Sequence, residues 1–187
     1  MGNLSKFIIT KVMGWKVIDP FPVIPKCVLA IAPHTSNWDF VVGKLAYNSL
    51  GRQANFLIKA EWFFFPFNII FSSMGGIPVK RDRNDSLTNK LAEEFKVRKW
   101  MHLGITPEGT RSWVPKWRKG FYHMAIAAKV PIIVAAGDFR TKQIHLGYEI
   151  SVKDLETRSF EDIMQEMEEY YKKITPKYPE KWNPKIY

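Results

Sequence analysis

Apolar residues in this chain gather into short runs separated by longer amphipathic stretches, and from residue 27 onward the alternation is regular. Residues 27–32, C-V-L-A-I-A, predict a short apolar strand that ends at Pro33 and His34. Ser36 or Asn37 can cap a helix running through Phe40 to about Leu50. Residues 55–59 predict a second strand, and 74–81 a glycine turn and short strand ending in the charged pair Lys80 and Arg81. A helix starting at Asn84 or Asp85 and reaching about Lys99 sets Leu87, Leu91, Ala92 and Phe95 on one face. Residues 101–105 form the next strand, followed by a small, apolar helix over 120–129, strands over 130–136 and 143–150, and an acidic amphipathic helix over 160–174. Strands alternating with helices predict an α/β fold with a mostly parallel sheet flanked by helices. With no repeat, linker or low-complexity block, residues 1–187 are expected to form one domain.

Two stretches depart from this rhythm. Near the start, Leu4, Phe7, Ile8, Met13 and Trp15 fall close to helical spacing with Lys6, Lys11 and Lys16 among them. This amphipathic segment fits a basic helix lying on a membrane surface and equally a terminal helix packing on its own domain. The second departure is W-F-F-F-P-F-N-I-I-F at 62–71, which is about half the ~20 residues a membrane span needs and holds Pro66. It is either core or a seat at an apolar interface. No transmembrane helix is predicted, the first fifteen residues lack a signal-peptide pattern, and Lys6 stands where a myristoylation start requires Ser or Thr. A cytoplasmic protein, peripheral to the inner face of the membrane, is the expectation.

Charge narrows the partners. Lys and Arg total 28 against 18 Asp and Glu, a net charge of +10, which favours nucleic acid, anionic lipid or an acidic carrier protein. The basic residues are dispersed, and the 160–174 helix is acidic, so nucleic acid is not expected as a partner. Cys27 is the one cysteine and sits in an apolar run, as a buried thiol would. There is no Cys/His cluster and no His-x-x-x-His, so no metal is expected.

Candidate chemistry sits at the ends of predicted strands, where α/β sheets place ligands. His34 and Asp39 are five residues apart; on one helix they would point roughly 140° from each other. They can meet if His34 stands on the loop and Asp39 in the first turn of the next helix. Asp39 could then fix one ring nitrogen and leave the other as a base. Read alone, the spacing also describes a capping or core pair. Pro107-Glu108-Gly109-Thr110-Arg111 also follows a strand: Gly109 permits a tight turn, and Arg111 offers a two-pronged donor for phosphate, or a solvated surface turn. Arg81 is a second possible phosphate clamp or part of a solvated basic turn. His102, His123 and His145 have no carboxylate at useful spacing and read as structural.

In conjunction these blocks resemble the glycerolipid acyltransferases, and among them the 1-acylglycerol-3-phosphate (lysophosphatidate) acyltransferases. The matching blocks are His34-x4-Asp39, Gly75 through Arg81, Pro107 through Ser112, and the apolar Val130-Pro131-Ile132-Ile133, with Lys119-Gly120 and Ala125 between the last two. They span roughly residues 27–140. Pro33 and Thr106 depart from the residues common at those positions, asparagine and phenylalanine. The resemblance implies transfer of a fatty acyl group from an acyl-carrier-protein or coenzyme A thioester, a co-substrate and not a bound cofactor, to a lysolipid hydroxyl. It implies His34 as general base, Asp39 as its orienting acid, and Arg81, Glu108, Gly109, Thr110 and Arg111 as the acceptor-binding set. Glu108 would either contact the acceptor's glycerol hydroxyl or pin Arg111. The competing reading is a peripheral lipid-binding module that keeps the fold without turnover, or an enzyme of this kind acting on another lysolipid.

Overall fold

A computed structural model describes residues 2–79 and 87–186. Seven strands form one sheet: β1 (Lys16–Ile18), β2 (Lys26–Ile31), β3 (Ala54–Lys59), β4 (Gly76–Val79), β5 (Met101–Ile105), β6 (Ile132–Asp138) and β7 (Gln143–Ile150). Their spatial order is β1-β7-β6-β2-β5-β3-β4. Every neighbouring pair is parallel except β6 with β7, which is antiparallel. The mostly parallel α/β architecture expected from the alternation is the one observed.

Central strand β2 explains its own composition. Val28 and Ala30 face one side of the sheet with Phe95, Phe121 and Tyr171, while Cys27 and Leu29 face the other with Tyr47 and Leu146. A strand covered on both faces must be apolar at every position, so it shows no period-two alternation. Helix α2 (Asn37–Ser49) covers the second face, and α4 (Leu87–Val97), α5 (Gly120–Ala128) and α7 (Phe160–Tyr171) cover the first. Tyr171 is fully buried, and its hydroxyl donates to the Ala30 carbonyl at 2.7 Å, fastening α7 beneath the end of β2.

Some elements refine the expected pattern, and others were not foreseen in it. The amphipathic start is a short helix α1 (Gly2–Phe7) continued by a wider π-helical turn at Ile8–Val12. It packs on its own domain: Ile9 and Trp15 are buried with Val42 and Ala46 of α2, though Leu4 and Phe7 remain exposed. Strand β1 is three residues long, too short to register as a period. The aromatic run holds a helix, α3 (Phe67–Ser73), with no buried residue on it. A further short helix, α6 (Val152–Thr157), starts at Ser151, whose side chain accepts from the Asp154 N–H at 3.1 Å while Asp154 accepts from the Ser151 N–H at 2.9 Å. That reciprocal cap is visible in the sequence as Ser-x-x-Asp.

Candidate active site

Topology brings together two blocks about seventy residues apart. Strands β2 and β5 are adjacent and parallel, with Ala30 level with Ile105, so the loops at their carboxyl ends leave side by side. From β2 the chain crosses through α2 to β3, over one face; from β5 it crosses through α5 to β6, over the other. The two connections diverge and leave a crevice between their first turns, the position where sheets of this kind bind ligands.

His34 stands in the loop after β2, and Asp39 is the third residue of α2. The imidazole Nδ1 lies 3.3 Å from Asp39 Oδ2, with the two side chains 19% and 7% exposed. Asp39 is itself held: it accepts from the Thr35 and Ser36 N–H groups at 2.7 Å each and from the Ser36 hydroxyl at 3.0 Å. The carboxylate that closes the helix N-terminus therefore also faces the histidine, so capping and orientation are one arrangement, not alternatives. With Nδ1 engaged, Nε2 is the nitrogen available to a reactant.

Glu108 has a different place from the one expected. Its carboxyl is buried at 2% exposure and accepts from the His34 N–H at 2.9 and 3.2 Å. It neither lines the cavity nor pairs with Arg111. Burial pushes its pKa up to about 8; the His34 N–H opposes this, and the charge of Asp39 adds to it. At neutral pH Glu108 is mostly protonated. It thus braces the backbone of the histidine loop without adding a second negative charge beside the imidazole.

The turn after β5 is tied by the Gly109 N–H donating to the Thr106 carbonyl at 3.0 Å. Gly109 has φ +68°, which favours glycine, and a Cβ there would meet Cδ and Nε of Arg118 at 3.0 Å. The missing side chain is the space across which Arg118 lies. Thr110, Arg111 and Arg118 line the same cavity as His34. Among the described residues neither arginine is paired with a carboxylate. Arg81 lies outside the described residues. Earlier in its block, β4 follows Gly75, where φ is +90° and a Cβ would sit 2.8 Å from the Ala54 carbonyl, so glycine is required there.

That cavity has a volume of about 920 Å³. From the polar end at His34 it continues between α2 and the sheet along Leu29, Ile31, Val42, Tyr47, Phe56 and Leu146. Such a space suits a long apolar substituent attached to a polar, reacting end. Lys44 also lines it, and its ammonium donates to the carbonyls of Ala54 and Met74 at 3.1 and 2.5 Å, tying α2 to β3 and to the end of α3.

Other candidates serve structure. His102 is buried, with Nε2 2.6 Å from the Ile24 carbonyl and Nδ1 2.6 Å from the Tyr47 hydroxyl. A carbonyl can only accept, so Nε2 carries the proton and Nδ1 accepts from tyrosine. Burial also lowers the pKa of His102, keeping it neutral, and pushes the Cys27 thiol up to about 12. Among the described residues no group of three or more His, Cys, Asp or Glu could hold a metal. Arg118 carries no signal in the sequence beyond its place before Lys119-Gly120.

A histidine facing a carboxylate, beside arginines that no carboxylate pairs among the described residues and at the mouth of an apolar cavity, is an arrangement that can serve acyl transfer to a polar lipid. The model of the Acyltransferase family matches residues 19–136, and the chain belongs to that family of enzymes. Among solved structures, the fold is similar to that of the 1-acyl-sn-glycerophosphate (LPA) acyltransferase PlsC from Thermotoga maritima. The TM-score is 0.59 at 18% identity, over 90% of this chain and 74% of that one. Among curated proteins, nothing matches in sequence.

Proposed function

We propose that the protein transfers a fatty acyl group from a thioester, on acyl carrier protein or coenzyme A, to the free hydroxyl of 1-acylglycerol-3-phosphate. The observation that carries this reading is the His34–Asp39 pair at the polar end of an apolar cavity that Arg111 also lines. The name of the similar Thermotoga protein agrees with the choice of acceptor.

His34 Nε2 takes the proton of the acceptor hydroxyl as its oxygen bonds to the thioester carbonyl carbon. Asp39, 3.3 Å from Nδ1, stabilises the imidazolium that forms. The contact is long, as such bonds often are before substrate binds. Collapse of the tetrahedral intermediate breaks the C–S bond, and the proton passes from His34 to the departing thiolate. A thioester is already activated, so no protein nucleophile is required, and the buried Cys27 is unsuited to be one. Arg111 grips the acceptor's phosphate, and the acyl chains lie along the apolar part of the cavity.

The same reading places the protein peripherally on the inner, cytoplasmic face of an anionic membrane. Among the described residues no helix is long and apolar enough to cross one. Support for surface binding comes from the aromatic run, where Trp62 is 57% and Phe65 78% exposed, together with the surplus of positive charge. The function is tested by incubating purified protein with labelled acyl donors and a panel of lysolipid, glycerol phosphate and lipoamino-acid acceptors, read by mass spectrometry. Acyl transfer to 1-acylglycerol-3-phosphate is expected. Transfer confined to acceptors without a phosphate monoester would overturn the choice of acceptor, and no transfer at all would favour a lipid-binding role.

A further inference from the structure

We infer that Arg118 is a second cation of the acceptor site, gripping with Arg111 the phosphate monoester of the incoming lipid. The inference rests on the phosphorylated acceptor proposed above and adds a residue to it. Three features carry it. First, the stem of Arg118 lies across Gly109, where any larger residue would leave its Cβ 3.0 Å from Arg118 Cδ and Nε, so the turn that carries Arg111 also forms the seat of Arg118. Second, the backbone of Arg118 is fixed: its N–H donates to the Pro107 carbonyl at 2.9 Å. The neighbouring Trp117 is buried against Tyr171 and Trp182, and its N–H donates to the Ile186 carbonyl at 3.1 Å. Third, the next residue does not share the task. The ammonium of Lys119 sits over the Phe160 ring, 4.3 Å from its centre, while Arg118 lines the cavity with His34, Thr110 and Arg111. Two guanidinium groups lining one cavity, neither paired with a carboxylate among the described residues, suit a dianion better than a neutral headgroup.

Steady-state kinetics on the full chain test this with Arg118→Ala, Arg118→Gln and Arg118→Lys. Each would be assayed with 1-acylglycerol-3-phosphate and with the corresponding monoacylglycerol, and compared in melting temperature. The expected result for Arg118→Ala and Arg118→Gln is an acceptor KM raised about 10- to 100-fold, the worth of a hydrogen bond to a charged group. The donor KM should be unchanged, kcat little affected, and Arg118→Lys should recover part of the loss. An unchanged acceptor KM would overturn the inference. So would an equal loss toward the unphosphorylated acceptor, which marks a structural role, or a rise confined to the donor KM, which assigns Arg118 to the donor's phosphates. Should the alanine variant not fold, the lysine and glutamine variants decide the matter, since both keep a stem over Gly109. If the wild type discriminates against the phosphorylated acceptor, the proposed function itself fails first, and this inference with it.

Discussion

At the scale of single residues, two carboxyl groups beside His34 have different environments. Asp39 is held by three hydrogen bonds and faces His34; Glu108 is buried behind the same loop and mostly neutral. This difference makes a prediction. The folded-state pKa of Glu108, about 8, lies above its ordinary value of 4.5, so between those pH values the folded protein holds a proton that the unfolded chain has lost. Stability from this group is therefore complete below about pH 4.5 and declines as pH rises through 8. Glu108→Gln keeps a carbonyl that can accept from the His34 N–H but does not titrate. Relative to that variant, wild-type protein should lose on the order of a few kcal/mol between pH 5 and 8. Urea titrations across that range would show it, and parallel pH profiles for the two proteins would refute it. The role of Glu108 was not legible in the sequence. A glutamate in a Pro-Glu-Gly turn looks solvated, and only the fold shows that a loop 74 residues away covers it.

At the scale of elements, the exposed helix α3 and the turn before it stand out. Trp62, Phe64, Phe65, Ile69 and Ile70 are exposed, whereas Phe71, on the same segment, lines the cavity. Lys44 anchors the end of α3 to α2 through the Met74 carbonyl. The segment thus connects an apolar outer surface with the apolar cavity, as the proposed binding at a membrane surface requires. Replacing Trp62 and Phe65 together by serine should leave the melting temperature nearly unchanged, because neither side chain is buried. Sedimentation with vesicles containing anionic lipid should show that this double variant binds several-fold more weakly; undiminished binding would exclude the turn before α3 as a membrane contact. The sequence left this stretch ambiguous for a physical reason. Aromatic clustering describes a core and a surface patch equally well, and only packing distinguishes them. In the amphipathic start, by contrast, Ile9 and Trp15 found partners on α2 while Leu4 and Phe7 stayed exposed.

For the molecule as a whole, the general architecture was legible and the edges were not. β2, β5 and β6 are apolar runs bounded by turn residues, and α2, α4 and α7 carry apolar faces, so alternation alone predicts the central parallel sheet. Edge strand β1 and helix α6 escaped because three and six residues hold too little periodicity. The chemistry was legible as residue types at strand ends, while its assembly depends on β2 and β5 being neighbours with connections leaving in opposite directions. Arg118 illustrates the limit. Nothing in its local sequence distinguishes it from Lys116 or Lys119, and only the space above Gly109 singles it out.

In the proposed reaction His34 removes the acceptor's proton. The most direct measurement is kcat/KM for acyl transfer by His34→Ala beside wild type, with vesicle binding and melting temperature measured on the same preparations. A loss of about 10²- to 10⁴-fold in transfer is expected, the usual worth of a positioned general base, with vesicle binding and folding retained. Transfer at the wild-type rate in a folded His34→Ala protein would contradict it.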